Sequence, residues 1–234
     1  MKLGRVLAIF QKDLKDFMKN MSLIFMPLLP IILSALYARL GSSIDEEMPL
    51  AMIYIVVGTT YAAVTAGCIM VSMAEENEKK TLRGLIMSPA SYGEIITGKS
   101  LVTALMTIIS LVISVSLMGG SALLDVQQII GLILLFFFFL FLGIGFGLYV
   151  KTIAMTTPYL MPIMFIFGFT PMIESLGFSE DSMVTKVADV FPIMQMLKLE
   201  ETSSWVPLII VAIWTLAAAM IAFFFFQRAT KDRA

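Results

Sequence analysis

Apolar residues fall in six long blocks separated by short polar breaks, and the blocks have the length of membrane-crossing helices. A spanning helix needs about 20 predominantly apolar residues, and residues 21–38, 50–73, 101–118, 129–150, 153–173 and 205–226 satisfy that need. The pattern predicts an all-α integral membrane protein, a single transmembrane domain with six transmembrane helices. Pro158, Pro162 and Pro171 lie in the fifth block, so a kink or break is expected there. Ahead of the first block, Leu3, Val6, Leu7, Phe10, Leu14, Phe17 and Met18 recur at three- and four-residue steps, with lysines mostly on the opposite face. This predicts an amphipathic helix over residues 1–20 lying in the membrane interface. Such a helix serves as a surface anchor or as a docking element for a partner.

Between the second and third blocks lies a charged island, residues 75–100. Its first half is rich in helix formers, and Glu75, Glu76 and Glu78 stand where a helix dipole favours acid. Ser88-Pro89 stops or turns that helix. Ser91 then precedes Glu94 by three positions, a capping box that starts a second helix running through Lys99 into the third span. The result is a helix–turn–helix elbow projecting from the membrane, shaped to be gripped by another protein; the alternative is a solvated loop, helical only at its edges.

Composition strengthens the membrane reading. The chain is 59% hydrophobic and 14% charged, with a mean hydropathy of +0.94, whereas soluble domains are about half apolar and about one quarter charged. Net charge is −1, so global charge offers nothing to nucleic acid, and only its placement is informative. On alternating sides of six spans, 13 of the 16 basic residues fall with the N-terminal segment, the charged island, Lys151 and the C-terminal tail. The other side keeps Arg39, Lys186 and Lys198. Lysine and arginine stay cytoplasmic, so both termini and the island are expected inside, in the cell membrane of a bacterium. The first twenty residues alternate charge and apolarity, unlike a cleavable signal peptide.

Candidate chemistry is sparse. Histidine is absent, which removes the commonest general base and zinc ligand. The single cysteine, Cys68, lies inside an apolar block and reads as a small buried residue. Residues 93–100 (GEIITGKS) match the phosphate-loop pattern letter for letter, but that loop works only between a buried strand and a helix. No strand precedes it and a span follows, so Lys99 is expected to be a charge at the membrane boundary. The run Gly143-Ile144-Gly145-Phe146-Gly147 lies mid-span and predicts close helix packing. No Asp, Glu, Lys or Arg occupies the middle of any block, where ion-coupled carriers place them. The chain is therefore expected to be no enzyme and to hold no metal and no cofactor. If the spans enclose a path, its candidate lining is Tyr54, Thr59, Thr60, Tyr61 and Thr65, with Met164, Phe165 and Phe169; the alternative is that these residues only pack.

The whole chain resembles the membrane (permease) subunit of type-2 ABC exporters, which move drugs, peptides or polysaccharides. The likeness rests on the interfacial helix and six spans with both ends inside, and on the island Glu75-Glu76-Asn77-Glu78-Lys79-Lys80-Thr81-Leu82 followed by Leu85, Ser88-Pro89, Glu94 and Gly98-Lys99. It rests also on Gly168 with Pro171, and on Phe191-Pro192 before the last span. Lys80 departs from the glycine expected before Thr81. The resemblance implies that the elbow is a coupling helix docking on a separate cytoplasmic ATPase, through Glu75, Glu76, Glu78, Lys79, Thr81, Leu82, Leu85, Ser88 and Pro89. ATP and magnesium would be bound by that partner, and a second permease chain would complete a homo- or heterodimer. Residues 174–204 would form an extracellular loop of short re-entrant helices. The cargo expected is an amphipathic peptide or antibiotic. A different reading stays open, a membrane-embedded immunity or sensor protein that binds a toxin without transport.

Overall fold

The computed structural model describes residues 2–41, 49–79, 91–119, 125–176, 182–202 and 204–231, with the backbone alone at 92, 174, 175 and 229–231. All regular structure among them is helical. The chain begins with α1 (Leu3–Phe17), followed by α2 (Met21–Gly41). Next come α3 (Leu50–Glu78), α4 (Tyr92–Leu117) and α5 (Val126–Tyr149). A broken segment, α6 (Ile153–Gly168), leads to three short helices: α7 (Met172–Ser175), α8 (Met183–Ala188) and α9 (Pro192–Thr202). The last helix is α10 (Val206–Lys231).

Among the described residues, five helices are long and apolar enough to cross a membrane: α2, α3, α4 from Gly93, α5 and α10 through Arg228. The chain is a multi-pass membrane protein. The predicted fifth span, 153–173, is not among the five. It opens with a 3-10 turn at Ile153–Met155, continues as an α-helix over Thr156–Ile163, and widens to a π-turn at Met164–Gly168. Proline explains the break: Pro162 cannot donate to the preceding turn, and the ladder resumes with a bond to the fifth carbonyl back, Phe169 N–H to Met164 O at 2.8 Å. The 16 residues reach about 24 Å, short of a hydrocarbon core of about 30 Å.

Helix α3 is the axis of the bundle, and nearly all of its apolar window is buried. At 29 residues it runs about 43 Å, so its last turns stand clear of a bilayer core. Its middle, Thr60–Gly67, is a π-helix without any proline. One turn earlier, the hydroxyls of Thr59 and Thr60 donate to Ile55 O (2.7 Å) and Val56 O (2.8 Å), competing with the backbone for those carbonyls. Around α3 stand α2, α4, α5 and α6, and α10 packs along α5.

Both described ends of the chain lie at one end of the bundle. There α1 lies across the first turns of α4, and the ring of Phe225 on α10 meets Tyr149, the last residue of α5. Asn77 on α3 donates to Val150 O at 2.9 Å, joining α3 to the same end. Short as it is, α6 crosses most of the bundle. Its start is tied to Glu78, and Gly168 at its close touches Gly58, about 12 Å from the far end of α3. From there α8 and α9 fold back into the far half. Ile193, Met194, Met196, Leu197 and Leu199 are buried in α9, and Val190 O accepts from Trp214 Nε1 on α10 at 2.8 Å.

Glycines set the closest approaches. Gly143 and Gly147, one turn apart on α5, face α3, where an added Cβ on Gly143 would sit 2.6 Å from Ala66 O. Gly145 turns the other way, against Ala222 of α10. The mid-span glycine run is a two-sided packing surface.

Candidate functional site

Among the described residues, a cluster of buried charges lies at the α1 end, at the base of the charged island. Asp13 comes from α1, Ser72 and Glu76 from the last turns of α3, and Lys99 from the second turn of α4. The Lys99 side chain is 2% exposed, and its ammonium donates to Asp13 Oδ2 (3.0 Å) and Ser72 Oγ (3.0 Å) and pairs with Glu76 Oε1 (2.9 Å). All three of its protons thus have partners inside the protein. Lys12 closes the cluster at 3.2 Å from Glu76 Oε1 and 3.4 Å from Asp13 Oδ1. Two carboxylates and two ammonium groups balance, as burial of charge requires. Burial alone would lower the Lys12 pKa, but Glu76 and Asp13 outweigh it and hold it above the ordinary lysine value.

Local sequence builds this site in three ways. Ser91 and Glu94 form the expected capping box, with Ser91 N–H to Glu94 Oε2 at 2.8 Å and Glu94 N–H to Ser91 Oγ at 3.3 Å. That fixes where α4 starts and places Lys99 facing α3. Glu94 also accepts the Lys2 backbone N–H at 2.6 Å and lies 3.7 Å from Arg5, pinning the start of α1. Gly98 lets α1 lie flat on α4, since an added Cβ there would meet Ile9 Cγ2 at 2.7 Å and Val6 O at 3.2 Å. The glycine and lysine of the phosphate-loop look-alike are therefore a helix crossing and a buried cation. The whole string 93–100 is the first part of α4, not a loop.

Four of the expected docking residues lie here. Glu75 bonds Asn20 Nδ2 at 3.0 Å and pairs with Lys79. Glu76 is buried in the cluster. Glu78 accepts the Ile153 N–H at 2.8 Å and so anchors α6. Glu78 and Lys79 are the exposed ones of the four. Thr81, Leu82, Leu85, Ser88 and Pro89 lie outside the described residues, as does the rest of 80–90.

The candidate path residues of α3 are packed. Tyr54, Thr59, Thr60, Tyr61 and Thr65 are buried, and each hydroxyl has a partner; Thr65 Oγ1 meets Thr107 Oγ1 of α4 at 2.9 Å. Met164 on α6 and Phe169 just past its end are half-buried, and Phe165 on α6 is exposed on the outside of the bundle.

Sequence reasoning did not single out Asp13, Ser72 or Gln128. For Asp13 the signal existed: it occupies the α1 register Val6, Ile9, Asp13, Phe17, the face that is buried. The apolar residues Leu3, Leu7 and Met18 form a second face that stays exposed.

At the far end, Tyr54 donates to Gln128 Oε1 at 2.8 Å, and Gln128 donates in turn to Glu200 of α9. This chain ties α3 and α5 to α9. Burial, with the charge of Asp125 added, raises the Glu200 pKa, and the bond from Gln128 opposes the shift. A raised carboxyl binds its proton more tightly folded than unfolded. Its contribution is present below the unfolded value of about 4.3 and is lost as pH rises through the folded value. Glu200→Gln is expected to flatten that part of the pH dependence and to raise the melting temperature at pH 7 relative to wild type. Thermal melts at pH 4 and pH 7 check this, and an unchanged difference between the two refutes it.

Among the described residues no group of three or more His, Cys, Asp or Glu side chains could hold a metal. No protein-family model matches the chain, and no curated protein matches it.

Proposed function

We propose that this chain is the membrane subunit of an ATP-driven exporter, worked from the cytosol by a separate ATPase that grips residues 79–90. The observation that carries the reading is the Lys99 cluster. It ties together α1, the end of α3 and the start of α4, the two flanks of the charged island. Force applied to the island therefore reaches α3, the axis of the bundle, without first being absorbed in a loose joint. Lys99, Asp13 and Glu76 act as the joint, and Lys79 with the apolar Leu82 and Leu85 act as the grip.

In this reading the α1 end faces the cytosol, because it gathers the lysines and arginines. A second permease chain, the same or related, pairs with this one. ATP and magnesium belong to the partner ATPase. Closing of two ATPases draws the two islands together and shifts the spans against each other, and an amphipathic cargo such as a peptide or antibiotic leaves outward. The resemblance of the island to type-2 exporter permeases points the same way.

The test is purification of the tagged chain from its native membrane, followed by transport in vesicles with the co-purified ATPase. An ATPase should accompany the wild-type chain, and Leu82→Asp or Leu85→Asp should release it and stop transport. Absence of an ATPase, or export that survives both substitutions, defeats the reading.

A further inference from the structure

We propose that the gap between α4 and α5 is a binding groove for one acyl chain of a bilayer phospholipid. These two helices are consecutive spans, yet each packs on the π-helical middle of α3 far more than on the other. The gap left between them is a cavity of about 260 Å³. Tyr61 of α3 forms its floor, Ala104 and Leu111 of α4 one wall, and Leu132, Ile133 and Phe136 of α5 the other. Ile108 and Ile133, at its mouth, are 58% and 51% exposed.

Three observations select the occupant. First, the polar atoms of the lining are already bonded: Tyr61 OH donates to Leu132 O at 2.9 Å, and Thr107 donates to Thr103 O at 2.8 Å. A water there would find few partners, and apolar cavities of about 150 Å³ stay dry. Second, both walls are spanning helices, so the mouth opens onto hydrocarbon. An unfilled groove would forfeit dispersion contacts along its length. Third, the size excludes a helix from a second copy, which is about 10–12 Å across with its side chains. A flexible chain of several methylenes fits. The groove lies within the first few turns of α5, counted from the far end, within reach of a lipid in the leaflet at that end.

Quenching of tryptophan by phosphatidylcholine brominated in its acyl chains tests this directly. The chain has two tryptophans, so Trp205→Phe and Trp214→Phe supply a silent background. In reconstituted vesicles without cargo or ATPase, Tyr61→Trp should be quenched more than Phe138→Trp, a buried position outside the groove, by about twofold or more as van der Waals contact demands. Adding Ala104→Phe, which fills the groove, should abolish the difference. Equal quenching at the two positions means that a second copy or nothing fills the gap, and overturns the proposal; so does quenching that survives Ala104→Phe. Should Tyr61→Trp fail to fold, native mass spectrometry of the single variant Ala104→Phe decides. One tightly held phospholipid per chain should be lost, and an unchanged count refutes the site.

Discussion

Lys99→Ala is expected to destabilise the protein by about 3–5 kcal/mol, the cost of breaking a buried ion pair by removing one partner. The substitution leaves Asp13 and Glu76, each 7% exposed, facing each other. Lys12 stays beside them, with its side chain 47% exposed. Because the cluster is buried, salt screens it weakly, and the loss should be nearly the same in 0.1 M and 1 M salt. Lys99→Arg does not rescue, since a planar fork cannot reproduce three contacts radiating from one nitrogen. Replacing all three charges together, Asp13→Asn, Glu76→Gln and Lys99→Met, removes the uncompensated carboxylates and should recover most of the stability, since Lys12 can turn to Asp16, 3.7 Å away on the surface. Thermal melts in detergent measure each variant. A loss below about 1 kcal/mol for Lys99→Ala would mean that the cluster is only as strong as a surface pair. If the joint transmits force, the triple variant melts like wild type yet transports poorly.

How much of this could be seen in the sequence depended on the range of the interaction. The capping box at Ser91 and Glu94 is written in four consecutive residues, and it forms as expected. The weakness of the fifth block was visible in Pro158, Pro162 and Pro171, because proline breaks a helix whatever surrounds it. What proline did not reveal was how far the segment would fall short of a full span. The π-helix of α3 left no comparable mark, since the hydroxyl bonds from Thr59 and Thr60 at its start also occur in ordinary helices. Lys99 was visible as a boundary charge, and its burial was not. Its partners Asp13, Ser72 and Glu76 lie on other helices, and only the crossing of α1 over Gly98 and the packing of α4 on the end of α3 bring them together.

The second large effect belongs to a backbone contact rather than a charge. Gly58→Ala is expected to destabilise by about 3 kcal/mol, at the upper end of the range for overpacking. An added Cβ on Gly58 would stand 2.2 Å from Gly168 O and 2.9 Å from Gly168 C. Those atoms are main chain, so no side-chain rotation relieves the clash, and α3 and α6 must move apart. The two π-turns meet at this crossing, Thr60–Gly67 in α3 and Met164–Gly168 in α6, so separation also disturbs Thr60 and the packing of Ala62 on Gly168. Helix propensity acts the other way, favouring alanine over glycine by about 1 kcal/mol. The sign of the result therefore reports which effect governs. Gly93→Ala is the matched control, because it lies in the first turn of α4 with nothing within 4 Å of its added Cβ. It should be neutral or stabilising. Chemical or thermal unfolding of both variants in the same detergent separates the cases. If Gly58→Ala behaves like Gly93→Ala, α3 and α6 are not held in contact at this point, and α6 owes its position to its other contacts, the anchor at Glu78 and the packing of Tyr159 on Phe146 and of Phe167 on Phe138.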